Sequence, residues 1–394
     1  MQALFLKRQE DRRIRAGHLW VFSNEVDVNK SPLTAFTPGE AAVLCDHREL
    51  PLGTVYVNPR SLIAARVVSR RPDEPLNEDL LRSRLECALR LRERRFSLPY
   101  YRLCHGEGDF LPGLVIDRYG DHVAVQVTTA GMELHTDALV ETLRELLQPA
   151  SILLRNTVAS RTLEGLPLEQ RCVLGNAPAE LTVPENGVAF TVPYLEGQKT
   201  GWFYDQRANR AEAARYAAGE DVLDIFCYAG GFGVTAAAQG ARSVTFMDAS
   251  HTALDAALRN AAANAPDCAA DAVEGDALQE MVKLRDSGRR FGLVCLDPPA
   301  FIKRRKDAAQ GLAAYRKANA LALSLLADGG VLVTCSCSHH LELEALHKCM
   351  AQAAAKRGLH GEILYTGAQG PDHPVHFAMP ETAYLKCLIG RFFA

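Results

Sequence analysis

The sequence predicts an α/β protein: a doubly wound parallel sheet with helices on both faces in the C-terminal half, preceded by a small β-rich barrel and a compact α+β region. Three observations carry that expectation. After Gly197, short apolar runs alternate with alanine-rich amphipathic stretches, the pattern of strands joined by helical crossovers. One of these runs leads straight into a glycine turn, Ala229-Gly-Gly-Phe-Gly233. Asp224, Asp248, Asp276, Asp297 and Cys337 fall at or just past successive run ends, and open α/β sheets bind their ligands outside the carboxyl ends of the strands.

The elements follow in chain order. From Leu4 to about Val68, apolar runs at Leu19–Phe22, Ala41–Leu44, Gly53–Val57 and Leu62–Val68 are separated by turn residues, which predicts the short strands of a barrel. The polar, proline-containing link Ser69–Pro75 opens a helix over 77–96, where Leu80, Leu81, Leu85 and Leu89 recur at helical spacing. Between Tyr101 and about Thr182, two strand-like runs flank Arg118-Tyr-Gly-Asp121, a helix covers 134–147 and a strand covers Ser151–Asn156. In the C-terminal half, strands are expected at Asp221–Cys227, Ser243–Asp248, Ala270–Glu274, Gly292–Asp297 and Gly330–Cys337. Ser250 is placed to cap a helix over 250–264.

Composition narrows the function classes. The chain has 394 residues, 48% hydrophobic and 23% charged, which excludes fibrous and disordered classes and leaves room for two or three domains. No apolar run approaches the roughly 20 residues that span a bilayer, and the N-terminus turns charged before a signal-peptide core can form, so a cytoplasmic address and no membrane partner are expected. The 11 cysteines include no C-x-x-C pair, which argues for free thiols and against a disulfide framework or a metal site. A net charge of -3 argues against wholesale polyanion binding. Any grip on nucleic acid must come from local clusters such as Lys7-Arg8, Arg12-Arg13-Ile-Arg15 and Lys303-Arg-Arg-Lys306.

The strand ends carry the chemistry. Asp248, about two dozen residues after Asp224, is spaced to accept hydrogen bonds from ribose hydroxyls; its structural alternative is a strand-end turn or helix cap. Asp276 is a candidate for an adenine amino group, or else an Asx turn that starts the next helix. Asp297-Pro-Pro299 and Cys335-Ser-Cys337 place an acid and a thiol at the ends of the last two predicted strands, and the cysteine spacing alone leaves both thiols open as the nucleophile. An acid and a thiol beside a cofactor turn point to methyl transfer onto a nucleic-acid base. C5 of cytosine is a poor nucleophile until a thiolate adds to C6, so covalent catalysis is what such a cysteine would supply.

These segments carry a family resemblance. Gly197-Gln-Lys-Thr-Gly-Trp-Phe-Tyr-Asp-Gln-Arg207, Cys227-Tyr-Ala-Gly-Gly-Phe-Gly-Val234, Asp297-Pro-Pro-Ala-Phe301 and Ser336-Cys-Ser338 resemble the signature segments of the RlmI-type 23S ribosomal RNA cytosine-5 methyltransferases. Asp109–Gly120, Asp372-His-Pro374 and Tyr384-Leu-Lys386 extend the likeness over nearly the whole chain. The resemblance implies a PUA domain over residues 1–72, a central α+β domain over 73–185 and a class I methyltransferase domain over 186–394, its sheet ending in an antiparallel hairpin near Glu362–Tyr365 and Tyr384–Ile389. It implies S-adenosyl-L-methionine as cofactor, held by Asp224, Tyr228, Gly230, Gly231, Phe232, Asp248 and Asp276, with Lys199, Thr200, Asp205 and Arg207 shaping its methionine end. It also implies Cys337 as nucleophile, Asp297 as the group that hydrogen-bonds the cytosine, ribosomal RNA (23S or a large-subunit precursor) as partner, and admits a homodimer. Two departures stand out. Phe226 and Tyr228 occupy positions where many class I enzymes have glycines, and Ala300 follows Pro299 where many RNA cytosine-5 enzymes carry a second cysteine. Two other functions fit parts of the pattern: a base N-methyltransferase that uses Asp-Pro-Pro to orient an amine, and an RNA-binding protein that keeps the fold without turnover.

Overall fold

Apolar runs bounded by glycine and proline become strands here, and the computed structural model, which describes residues 1–197 and 200–394, sorts them into two units. The first comprises Met1–Ala179, Tyr194–Tyr204 and Pro371–Thr382; the second comprises Glu180–Pro193, Asp205–Gly370 and Ala383–Ala394.

The first unit contains two five-stranded sheets. In one, Gln2–Phe5 pairs parallel with Glu40–Cys45, followed by Pro51–Val57, Ala65–Ser69 and Trp20–Val21, around a core of Leu4, Leu6, Val21, Leu44, Val55 and Val57. The edge strand Gln2–Phe5 was not expected from the sequence, because it is only four residues long and ends against a charged stretch. In the other, Tyr100–His105, Leu114–Tyr119, His122–Val127, Ser151–Asn156 and Glu169–Gly175 lie side by side. The helix Glu78–Arg95 packs Leu81, Leu85 and Ala88 into the same core as Leu139 and Leu143 of the helix Thr136–Leu147. Asn77 caps the first of these helices by accepting the Leu80 N–H at 2.9 Å. Two arginines, Arg92 buried and Arg102 half-buried, are paired bidentately, Arg92 with Asp109 (2.6 and 2.7 Å) and Arg102 with Asp117 (2.6 and 2.8 Å).

The second unit is built on a seven-stranded sheet. Numbered within this sheet, its strands are β1 (Asp221–Ile225), β2 (Ser243–Asp248), β3 (Ala269–Glu274), β4 (Phe291–Leu296), β5 (Leu326–Ser336), β6 (His360–Gly367) and β7 (Lys386–Phe393). Their order is β3-β2-β1-β4-β5-β7-β6, with β7 antiparallel to both neighbours and the other pairings parallel. The connecting helices are α1 (Gly231–Ala238), α2 (His251–Asn264), α3 (Ala277–Asp286), α4 (Ala308–Ser324) and α5 (Leu343–Ala355). β1, β4 and most of β5 are buried on both faces, as the continuous apolar runs predict. Leu223, Ile225, Met247, Val294, Leu296 and Leu332 share one core with Tyr315 of α4. Ser250 caps α2 through the Ala253 N–H, as its position implies.

The two largest departures from the expected parallel-strand boundaries have local causes. β1 stops at Ile225 instead of Cys227, because Phe226 turns to φ +61°. β5 starts at Leu326, upstream of the glycine pair, and register jumps from Phe291↔Leu326 to Leu293↔Val331. Gly329, at φ +74°, absorbs that bulge, so the glycines mark an irregularity inside the strand and not its beginning.

Candidate methyltransferase site

The chain leaves β1 through Phe226-Cys-Tyr-Ala-Gly230, and Phe226, Tyr228 and Gly230 all have positive φ (+61°, +50° and +83°). The backbone of a glycine turn is thus retained with aromatic residues in two of its positions. A non-glycine residue in this conformation costs on the order of 1–3 kcal/mol and persists only where its surroundings fix it. Here Met247 O accepts the N–H groups of Phe226 (2.8 Å) and Cys227 (3.2 Å), and Asp248 Oδ2 accepts that of Tyr228 (3.1 Å).

The glycines that follow serve packing more than ligand approach. A Cβ on Gly233 would lie 2.4 Å from the Phe246 ring and 2.8 Å from Val244, and one on Gly230 would lie 2.8 Å from Val234. They let α1 sit closely on β2. Asp224 is fully buried at the end of β1 and ties that helix to the sheet by accepting the Gly233 N–H at 2.7 Å.

Burial pushes the Asp224 carboxyl up to about 7; the Gly233 N–H opposes the shift, while the charges of Asp297 and Asp248 add to it. Unfolded, the group ionises near 3.8. Between these values the unfolded chain has released a proton that the folded chain keeps, so stability falls as pH rises through that window and levels off above about 7. Asp224→Asn keeps a carbonyl acceptor and should remove this slope, gaining on the wild type in melting temperature as pH rises from about 5 to about 8. An equal gap at both pH values would show that Asp224 does not titrate this way.

Asp248 ends β2 partly exposed, with Oδ2 on the Tyr228 N–H and Oδ1 on the Ser250 N–H at 3.0 Å. A carboxylate offers about four acceptor positions, so both oxygens retain capacity. Asp276 is exposed, and its Oδ1 caps α3 through the Gln279 N–H at 3.0 Å, the helix-start alternative that the sequence left open.

The register Leu296↔Thr334 brings the ends of β4 and β5 together, with Asp297 and Pro298 after one and the cysteine pair at the other. Cys335 is fully buried; its hydrogen bond to Cys387 and its burial push the thiol well above the usual range. β5 ends at Ser336, so Cys337 stands one residue past the strand in the following loop and is partly exposed. The two thiols therefore do not share a strand face. The hydroxyls of Ser336 (2.8 Å) and Ser338 (2.9 Å) both bond Tyr315 Oη inside the core, and Ser338 Oγ also accepts the Ile302 N–H at 3.2 Å. This buried network grips the cysteine on both sides.

Sequence reasoning missed the cation of this site. Lys386 opens β7 opposite Ser336, and its Nζ donates to the carbonyls of Ser338 and Tyr384, each at 3.1 Å. Burial lowers its pKa, while Glu342 and Cys337 pull it the other way. A lone lysine in the apolar run Leu385-Lys-Cys-Leu-Ile389 was the available signal.

The remaining candidates have structural partners. Asp205 Oδ2 accepts the Tyr384 hydroxyl at 2.5 Å, and Arg207 pairs with Glu185 at 3.4 Å. Thr200 belongs to the first unit, where its carbonyl accepts the Tyr119 hydroxyl at 3.1 Å; Lys199 lies outside the described residues. Arg13 and Arg15 are engaged by Glu25, Asp11 and Asp46, whereas Lys303, Arg305 and Lys306 are exposed. His373 is buried against Asp372 at 2.9 Å. Among the described residues no group of side chains could hold a metal ion, and no helix is long and apolar enough to cross a membrane.

Comparison with known proteins agrees with this geometry. Residues 159–372 match the S-adenosylmethionine-dependent methyltransferase family and residues 4–70 match the PUA-like domain. The ribosomal RNA large subunit methyltransferase I of Tolumonas auensis is 36% identical over 394 residues, covering 98% of both chains, and that of Aeromonas hydrophila is 36% identical over 99% of both. The chain belongs to the ribosomal RNA large subunit methyltransferase I family. The fold of this methyltransferase is shared by a putative SAM-dependent methyltransferase from Streptococcus mutans (TM-score 0.82, 21% identity, 99% and 100% coverage). It is shared too by a putative methyltransferase solved in complex with SAH (TM-score 0.85, 22% identity, 99% and 100% coverage).

The cofactor of the methyltransferase is S-adenosylmethionine, and the turn after β1 fits it. Asp248 has acceptor capacity left at a partly exposed strand end, and Asp224 takes only the Gly233 N–H at the amino end of α1, leaving the first-turn N–H groups of Gly231 and Phe232 for a carboxylate. Asp248→Ala should weaken S-adenosylmethionine binding by roughly 1–3 kcal/mol. Unchanged affinity by calorimetry would remove Asp248 from the cofactor site.

Proposed function

We propose that this methyltransferase acts on large-subunit ribosomal RNA, transferring a methyl group to C5 of a cytosine in 23S RNA or its precursor, with Cys337 as the covalent nucleophile and Asp297 as the group that binds the cytosine edge. The observation that carries the reading is the contrast between the two thiols: Cys335 is sealed in the sheet, whereas Cys337 is partly exposed beside the Lys386 ammonium. Relatives that align over the full length are named for ribosomal RNA, which supports the substrate class.

Bound S-adenosylmethionine would supply an electrophilic methyl group. The Cys337 thiolate adds to C6, and the pair of electrons from the C5–C6 double bond moves towards C5 and the N3–C4 unit. Asp297 hydrogen-bonds N3 or the exocyclic amine as charge builds there. Lys386 favours the thiolate electrostatically and, through the Ser338 carbonyl, fixes the loop that bears it. C5 would take the methyl group as its bond to the sulfonium sulfur breaks, and loss of the C5 proton to a base with expulsion of the Cys337 thiolate would restore the ring. In the base N-methyltransferase alternative an aromatic residue after Asp-Pro-Pro would hold the base, but position 300 is alanine and Phe301 packs against buried Tyr315 at 4.8 Å.

The test is incubation with labelled S-adenosylmethionine and unmodified large-subunit RNA, with mass spectrometry of the product nucleosides. 5-Methylcytidine is expected; a methylated exocyclic amine would overturn the reading. A separate prediction concerns Lys386. Lys386→Met should slow alkylation of Cys337 at neutral pH several-fold, with Lys386→Arg restoring most of the rate. Peptide mapping that shows equal Cys337 labelling in both variants would leave Lys386 a purely structural role.

A further inference from the structure

The first unit carries an aromatic and cationic patch that the chemistry above does not use. Its segment Pro371–Thr382 is anchored by Met379, which is buried in the core of the N-terminal sheet. Around it the chain forms a braced turn. His376 O accepts the Met379 N–H at 2.9 Å, His376 Nδ1 accepts the Ala378 N–H at 3.1 Å, and Thr382 Oγ1 accepts the His376 N–H at 2.9 Å. Phe377 sits on this turn with its ring fully exposed.

A second ring is held beside it. Phe110 is 51% exposed and meets His376 edge-on, with centroids 5.0 Å apart. Its backbone is left-handed, φ +60°, an outlier for a bulky residue that its hydrogen bonds enforce. Arg84 donates to the carbonyls of Phe110 and Val68, and Arg70 donates to the Ile14 carbonyl at 2.6 Å. Arg70 borders the same turn, since a Cβ on Gly17 would touch both Ala378 (2.8 Å) and Arg70 Nη2 (3.9 Å). Among the described residues neither arginine has a carboxylate partner. Burial pushes both guanidinium groups down, Arg84 to about 10, and an anion placed beside them would oppose that shift.

Exposed rings beside arginines that lack carboxylate partners match what an unpaired nucleotide offers: a π face and a phosphate. A protein partner would account for the rings but not for two cations left without acids. We propose that Phe377, with Phe110 and His376 beside it, is a stacking platform for an unpaired base of the substrate RNA, whose adjoining phosphate is received by Arg70 and Arg84. This rests on the RNA reading given above and adds where a strand of that RNA docks.

The experiment measures binding of a large-subunit RNA transcript to the full chain, and to Phe377→Ala, Phe377→Trp and Arg70→Gln variants. Phe377→Ala should raise Kd about tenfold, with Phe377→Trp near wild type and binding of a duplex RNA unchanged. Arg70→Gln should flatten the slope of log K against log salt by about one. Wild-type affinity for the transcript in Phe377→Ala would overturn the platform while leaving the RNA reading intact. Loss of binding by Phe377→Ala to ribosomal particles but not to naked RNA would overturn it in favour of a protein contact. Failure of the wild type to bind the transcript would instead remove the RNA reading on which it rests.

Discussion

Cys337→Ala is expected to abolish methylation of cytosine, by more than about 10³-fold, while leaving the affinities for S-adenosylmethionine and RNA nearly intact. In the proposed mechanism the thiol is needed for the chemical step and not for docking, so its loss should appear in kcat. Cys335→Ala provides the contrast. That thiol is sealed between β5 and β7, opposite Cys387, and its replacement should cost a small packing defect and little activity. RNA carrying 5-fluorocytosine at the target should trap the wild-type enzyme, since fluorine at C5 cannot leave as a proton. The adduct should map to Cys337. An adduct on Cys335 would reverse the assignment, and full methylation by the Cys337→Ala protein without any adduct would favour direct attack by an amine.

The second large effect is expected at Asp297. On the proposed mechanism, Asp297→Ala removes a preorganised partner for charge that builds on the cytosine during addition, and losses of about 10²–10³-fold in kcat are typical for such groups. Cofactor affinity should change little, which separates this variant from Asp248→Ala. If kcat stays within a fewfold of wild type while KM rises, Asp297 contributes to base binding only and the charge-stabilising role falls.

Much of this arrangement was legible because its signals are local. Apolar runs ending in Asp224, Asp248 and Asp297 located the strand ends, since a strand buried on both faces must be apolar throughout and can turn polar only where it leaves the sheet. Legibility failed where the cause is tertiary. The glycine turn announced a cofactor, but nothing local announced its packing, in which the space beside Gly230 and Gly233 is filled by Val234, Phe246 and Val244. Nothing in an aromatic side chain announces a left-handed backbone, so Phe226 and Tyr228 could be noted only as missing glycines. Lys386 escaped because its partner carbonyl at Ser338 is 48 residues away, across a strand pairing that periodicity cannot reveal.

The place of β7 has a consequence for synthesis. It is the last strand of the sheet to be made, yet it lies between β5 and β6, so both neighbours leave the ribosome first and must wait apart or separate again to admit it. Until β7 docks, Ser338 lacks the ammonium that holds the cysteine loop. A nascent or prematurely terminated chain could therefore fold much of its cofactor turn and still carry a slack, weakly reactive thiol. On the mechanism proposed above, insertion of this strand would bring the Lys386 ammonium to Ser338 and so complete the loop that carries Cys337.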